Sequence, residues 1–464
     1  MFLILSVEKI LQMLDDYSEG FVSSIKKFEE MLKTNFTYFF DAQEIEYIAQ
    51  HYIDFGEINL AKKAIKIGNK QHPININILL LKSEISILED KLEAANEILA
   101  FVNEIEPNNL DAYIQKATIL SKLKKHHKSI EILNECLTYS EYKFEVWHLI
   151  ALEFLTIDNF QKAMVYFRLC IENEPNDHQI LYNLIYCIDN LKSFKEGVKI
   201  LNEILEKDPY NELVWLELGK LHLELKNHNK ALISFDYAIL CDDKFSAAYV
   251  EKAKLLQKNN NYLEAIENYQ FSLTFESPSA FIYLRIGECF KMLGNQKLEL
   301  KYYKLSTKED PNYEESWLAL IEYYLTKNNF KSALIYCNKA LKINENHPEY
   351  WKIYAKINKR LNRFVAAEEA FKNIIDLGID ELRSWSDWID TLISQNKWEK
   401  GYLIGKKAKK LYPNVPDLDF KIALCYLNLG KKNEMEFYLE NVRKNINLLS
   451  PKLLEFYPHL EVLI

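Results

Sequence analysis

The stretch EKDPYNELVWLELG, residues 206–219, has a near twin further on, KEDPNYEESWLALI at 308–321. Both place Asp-Pro six residues ahead of a Trp, and both follow the Trp with a Leu three residues later. Pro209 and Pro311 are 102 residues apart, and so are Trp215 and Trp317. That spacing is three times 34, so a repeat of 34 residues is the hypothesis to test before any division into domains.

Blocks of 34 starting at Ala42 begin at 42, 76, 110, 144, 178, 212, 246, 280, 314, 348, 382 and 416, and run to 449 without insertion or deletion. Column 4 of the block holds Trp147, Trp215, Trp317, Trp351 and Trp385, five of the seven Trp in the chain. Column 8 is mostly small (Ala49, Ala117, Gly219, Gly287, Ala355) and column 20 is mostly Ala or Gly. Pro73, Pro107, Pro175, Pro209, Pro311 and Pro413 share column 32.

Each block reads as two helices. Columns 4, 7, 8 and 11 have the spacing of one helical face, and columns 20, 24 and 27 repeat it. Columns 15 and 16 often carry Gly or Asn (Gly56, Asn159, Asn227, Asn261, Asn295, Asn329, Asn362, Gly430). Such residues tolerate the left-handed conformation that ends a helix. Pro at column 32 stops the second helix, because it lacks an N–H and restricts the residue before it. A bulky column 4 opposite small columns 8 and 20 lets two helices approach closely. One pair cannot bury both faces, whereas stacked pairs can.

The pattern W-x₂-L-G with Ala at column 20, an aromatic at 24 and Pro at 32 resembles the tetratricopeptide repeat (TPR). The block Glu212 to Phe245 carries it nearly throughout, in Trp215, Leu218, Gly219, Ala231, Phe235 and Ala238. The resemblance covers 42–449 and extends to the long TPR arrays of bacteria. It departs at Glu299, where Ala is expected, and at Asp419 in column 4. It implies an all-α fold, a right-handed α-α superhelix (TPR solenoid) of about twelve helix-turn-helix repeats. Residues 1–41 are expected to form an N-terminal helical cap, with helices around Val7–Tyr17 and Phe21–Lys33. Residues 450–464 are expected to cap the other end.

Composition agrees with a helical chain. Of 464 residues only 11 are Gly and 11 Pro, too few for many short strands and tight turns. The formal charge of −9 comes without a Lys/Arg block, so nucleic acid is not an expected partner. No run of about 18 apolar residues suggests a membrane span. The opening MFLIL has no basic region before it, so a core-facing segment is expected rather than a signal peptide. Seven Cys without a CxxC argue against a disulfide framework, fit a reducing compartment, and point to a cytoplasmic protein.

No catalytic or metal constellation stands out, and no cofactor is expected. Cys136 and Cys170 share column 27, and Cys187, Cys289 and Cys425 share column 10, which are interior helix positions. His126–His127 falls at an inter-helix turn and reads as solvated. GYLIGKKAKK, 401–410, does not satisfy GxxxxGK[ST], and its Gly401 and Gly405 fall inside a helix.

The resemblance implies a concave groove lined by the first helix of each pair, through columns 2, 5, 6, 9, 12 and 13, that binds a protein or peptide. The family's clamp for a C-terminal carboxylate needs Lys at column 5 and Asn at column 9 of one repeat. Lys352 is the only Lys in column 5 and its column 9 is Lys356, so that clamp is absent. The candidate contacts are Tyr182, Asn183 and Tyr186 in block 5, Glu217 and Lys220 in block 6, and the basic face of Lys352, Lys356, Lys359 and Arg360 in block 10. The leading expectation is a non-enzymatic interaction scaffold. A second reading is self-assembly as a homodimer through the apolar C-terminal cap. An enzyme would need a catalytic domain, and no stretch outside 42–449 is long enough to hold one.

Overall fold

The structure is a computed structural model that describes residues 19–34, 37–138, 143–174 and 177–449. It contains 25 α-helices and no strand among the described residues. The expected helix around Val7–Tyr17 and the cap at 450–464 lie outside them.

The chain divides into two compact units, 1–241 and 242–464. In the first, a helix Glu19–Thr34 precedes pairs whose first helices start at Ala42, Ile76, Leu110, Lys143, His178 and Glu212. In the second, first helices start at Ser246, Ala280, Glu314, Pro348, Leu382 and Pro416. Within each unit every helix packs on its successor, and several first helices also touch the first helix of the next pair, Ile76–Leu88 on Leu110–Lys122 for example. This is the nearest-neighbour order of a helix-turn-helix array.

Inside a pair, size complementarity sets the approach. Ala61, Ala95, Ala163, Ala231, Ala265 and Ala333 are all fully buried. A Cβ added to Gly219 would run into the ring of Phe235, and one on Gly287 would lie 2.6 Å from Cδ1 of Tyr303. Gly401 and Gly405 have the same role inside the helix Trp398–Leu411, where added Cβ atoms would press on Cys425 and Ile422. The helix Glu19–Thr34 seats Phe28 and Met31 in one apolar cluster with Phe40 of the following link and Ile45 and Ile48 of the first pair. That apolar burial, roughly 1.5–3 kcal/mol per large side chain, covers a face the first pair would otherwise expose.

The inter-helix turn differs from expectation by one column. The left-handed residue is column 15 in all twelve blocks, whatever its identity: Gly56, Gly294 and Gly430, but also Lys124, Lys192 and Asp158. Column 16 is not left-handed; it caps the second helix. Asn159, Asn295 and Asn329 each accept a bond from the backbone N–H three residues on, that of Asn329 at 3.1 Å. The column-16 N–H itself returns to the carbonyl of column 11, as Asn159 to Phe154 at 2.9 Å, which closes the first helix. Asn is therefore frequent at column 16 for its side-chain acceptor.

The two departures from the repeat are absorbed without a break in any helix. Glu299 is buried in the continuous helix Gln296–Glu309, and burial pushes its carboxyl above the usual range. Asp419 is also buried, and Lys409 pairs with it.

Candidate binding groove

The first-helix columns that avoid the core determine what each unit can present. In unit 1 the helices of the first four pairs line an open cavity of ≈ 1360 Å³. Its lining comes almost wholly from columns 2, 5, 6, 9, 12 and 13. Leu80, Leu81, Ile114, Leu149 and Leu152 provide apolar wall, and Glu46, Glu84 and Asp111 provide carboxylates. Burial is the main cause that raises the pKa of Glu84, with Asp54 and Asp111 adding repulsion. Burial likewise raises that of Asp111, with Glu106 second. Lys122 is the one Lys or Arg of the lining, and it is committed elsewhere: its Nζ donates to the Ile87 carbonyl at 2.9 Å and lies 3.6 Å from Asp90.

Sequence reasoning passed over this stretch, though the signal was present. Blocks 1–4 carry Glu46, Asp54, Glu84, Asp111 and Glu145 in the groove columns against a single cation, Lys122. His126, expected to be solvated, is instead half-buried with Nδ1 2.8 Å from Oε2 of the buried Glu153, which belongs to the cavity wall.

The expected contact residues fare differently. Tyr182 and Tyr186 are 50% and 53% exposed, a turn apart on one helix, and Tyr186 meets Phe160 edge-on at 5.9 Å. Asn183 between them accepts from Gln179 at 3.4 Å. Glu217 does not face outward: it is 4% exposed, closed in beside Lys220, whose Nζ lies 2.7 Å from its carboxylate. In some repeats column 6 is a seam position. Gln115 and Lys421, in the same column, reach back to the Leu80 and Ser386 carbonyls of the preceding first helix at 3.1 and 3.2 Å.

Two of the four cations on the basic face of block 10 are neutralised. Lys352 pairs with Glu349 at 2.8 Å and Glu381 at 2.7 Å, and Lys359 with Asp387 at 2.9 Å. Burial alone would lower the Lys352 pKa, but those two glutamates outweigh it and the group stays charged. Lys356 and Arg360 are exposed. The pattern recurs along unit 2: Arg285 pairs with Glu288 at 2.9 Å and Lys421 with Asp390 at 2.6 Å.

Nothing in the described residues forms a group of three side chains able to hold a metal ion. Six of the cysteines are buried as free thiols, and burial raises Cys187 to about 11 and Cys170 to about 12. No helix among the described residues is long and apolar enough to cross a membrane.

The family model described as "Tetratricopeptide repeat" matches residues 110–142, 144–177 and 315–347. These segments fall in both units and keep the phase of the 34-residue blocks. Among curated proteins, a DnaJ homolog subfamily C member 3 homolog of Dictyostelium discoideum is 28% identical over 145 residues, 28% of this chain and 29% of that protein. The BBSome complex member BBS4 of Bos taurus is 25% identical over 31% of this chain and 28% of its own length. The chain thus spans under a third of either relative. A tetratricopeptide repeat protein of Parabacteroides merdae is similar at 17% identity and a TM-score of 0.37, over 54% of this chain and 98% of that one. Tetratricopeptide repeats generally mediate protein–protein interaction, and proteins of this fold are typically non-enzymatic scaffolds. Paired helices in a period of 34, with the family model matching three of the blocks, show that this chain carries tetratricopeptide repeats.

Proposed function

We propose that the protein is a non-enzymatic scaffold that binds a protein or peptide segment along the first-helix groove. The array proper is 42–449, with 1–41 and 450–464 as caps. The observation that carries this reading is the ≈ 1360 Å³ cavity, lined mostly by first-helix residues, the half-buried Leu81, Ile114, Leu149 and Leu152 among them. Small-molecule sites run to about 300–1,000 Å³, so a segment of polypeptide suits this cavity better. Tyr182 and Tyr186 add exposed aromatic area, the kind that anchors interfaces, and Lys356 and Arg360 add charge left outside the ion pairs.

Photo-crosslinking residues placed singly at Leu81, Tyr186 and Lys356, and at the exposed second-helix positions Ile233, Val365 and Leu403, test this in the native cell. Adducts to a discrete protein from the first set and not the second are the expected result. Adducts from the second-helix set alone overturn it.

A further inference from the structure

The grooves of the two units differ in one respect: whether their charges are already satisfied. In unit 2 several groove cations have carboxylate partners in the same or the next repeat, as Arg285 with Glu288, Lys352 with Glu381 and Lys359 with Asp387, while Lys356 and Arg360 remain exposed. In unit 1 the cavity of repeats 1–4 has no such balance. Glu84, half-buried beside Leu80, Leu81 and Ile87, and the neighbouring Asp111 make no ion pair among the described residues. Among the described residues Glu46 has only the Asn77 side-chain amide, at 3.1 Å. The single lining Lys is held by a backbone carbonyl and Asp90.

We infer that the groove of repeats 1–4 is built for a partner segment that presents Lys or Arg on one side and apolar residues on the other. The inference rests on the groove reading above and adds the chemistry of the occupant. Leu81, Ile114, Leu149 and Leu152 receive the apolar side, and burying it supplies most of the affinity. Glu46, Glu84 and Asp111 receive the cations, which fix register and reject acidic competitors. A nucleic acid is excluded by the same carboxylates, since its phosphates would meet like charge. The chain's own opening residues 1–18 carry Glu8, Asp15 and Asp16 against Lys9 and make a poorer electrostatic match.

The test is a fluorescence-anisotropy titration of the full chain with four labelled peptides. One is an 18-residue Leu/Lys amphipathic helix, one its Leu/Glu counterpart, one a scrambled Leu/Lys sequence, and one the chain's own residues 1–18. The expected result is binding of the Leu/Lys helix at least about tenfold tighter than of the other three, with a Kd that weakens as salt rises. The double variant Glu84→Gln/Asp111→Asn should lose about tenfold in that affinity, and Glu46→Lys should lose at least as much. The pair Glu131→Gln/Glu135→Gln, exposed on a second helix, should leave it unchanged. Circular dichroism melts confirm that the variants fold. Equal binding of the Leu/Lys and Leu/Glu helices, tighter binding of 1–18, or no response to the Glu84 and Glu46 variants overturns the inference. If crosslinks still form at Leu81 while the Leu/Lys helix fails to bind, only the charge assignment falls. If both fail, the groove reading falls with it.

Discussion

The indole N–H of Trp215 donates to the carbonyl of Pro209 at 2.9 Å, and that of Trp317 donates to Pro311 at the same distance. The six-residue offset that recurs in the sequence is thus a bond across the turn between one repeat and the next. Trp351 makes it to Glu345 at 2.6 Å, and the Tyr249 hydroxyl makes it to Asp243 at 3.2 Å. Pro is not required for the bond; the carbonyl of column 32 is.

Trp215→Phe therefore removes one hydrogen bond while keeping a ring against Tyr237, now 4.6 Å away centroid to centroid. The expected cost is about 1 kcal/mol, seen as roughly fivefold faster amide exchange in Glu212–Glu224. Trp385 is the contrast. Its turn carries Gly378 at φ 79°, and its buried indole N–H has no partner. Trp385→Phe loses no such bond, and its cost comes from the void left beside Trp388 in the core. Unchanged exchange in Trp215→Phe would mean that the column-4 bond contributes nothing.

The left-handed turn residue gives a second prediction. Lys192 at φ 51° and Lys226 at φ 59° carry a Cβ in a conformation that glycine adopts freely. Replacing either with Gly should stabilise its repeat by about 0.5 kcal/mol, strain relief exceeding the added chain entropy. Gly294→Ala, at φ 74°, should destabilise by about 1 kcal/mol. Urea midpoints of the three variants measure the signs, and a destabilised Lys226→Gly would contradict the assignment.

Glu299 occupies a site that other repeats fill with Ala. Burial raises its carboxyl pKa above the usual 4.5, with Lys291 and Lys327 opposing and Glu322 adding to the shift. A raised carboxyl favours the folded state below the unfolded pKa, and that advantage is lost as pH rises through the folded value. Glu299→Gln should thus raise Tm at pH 7 and give a smaller difference near pH 4. A difference that grows on acidification would show the opposite shift.

Thiol chemistry is the fourth check. At pH 8, iodoacetamide should leave Cys170, Cys289, Cys337 and Cys425 unmodified in the folded chain, their pKa values being raised to about 12. Cys241, the half-exposed one, should react first. Rapid modification of Cys337 would contradict its burial.

The helix pairs were legible in the sequence because the buried columns must repeat: Ala at column 20 and a large column 4 follow from packing alone. Column 15 was only half legible, since the twelve left-handed positions include Lys and Asp, which do not announce that conformation. The groove was least legible. Block 10 looked basic because Lys352, Lys356, Lys359 and Arg360 are close in sequence, whereas their neutralising partners Glu381 and Asp387 belong to the next repeat. Glu217 looked exposed by its column, yet it is buried, as is Lys421 in the same column, while Leu81 and Leu149 there line the cavity. Charge in a repeat array has to be read across repeats, and so read it marks blocks 1–4.

The most direct test of the account is therefore photo-crosslinking at Leu81 in the native cell, set beside the same group at Val365. The account predicts a discrete protein adduct at Leu81 that is lost with Glu84→Gln/Asp111→Asn, and none at Val365. An adduct at Val365 alone, or one at Leu81 indifferent to those carboxylates, would contradict it.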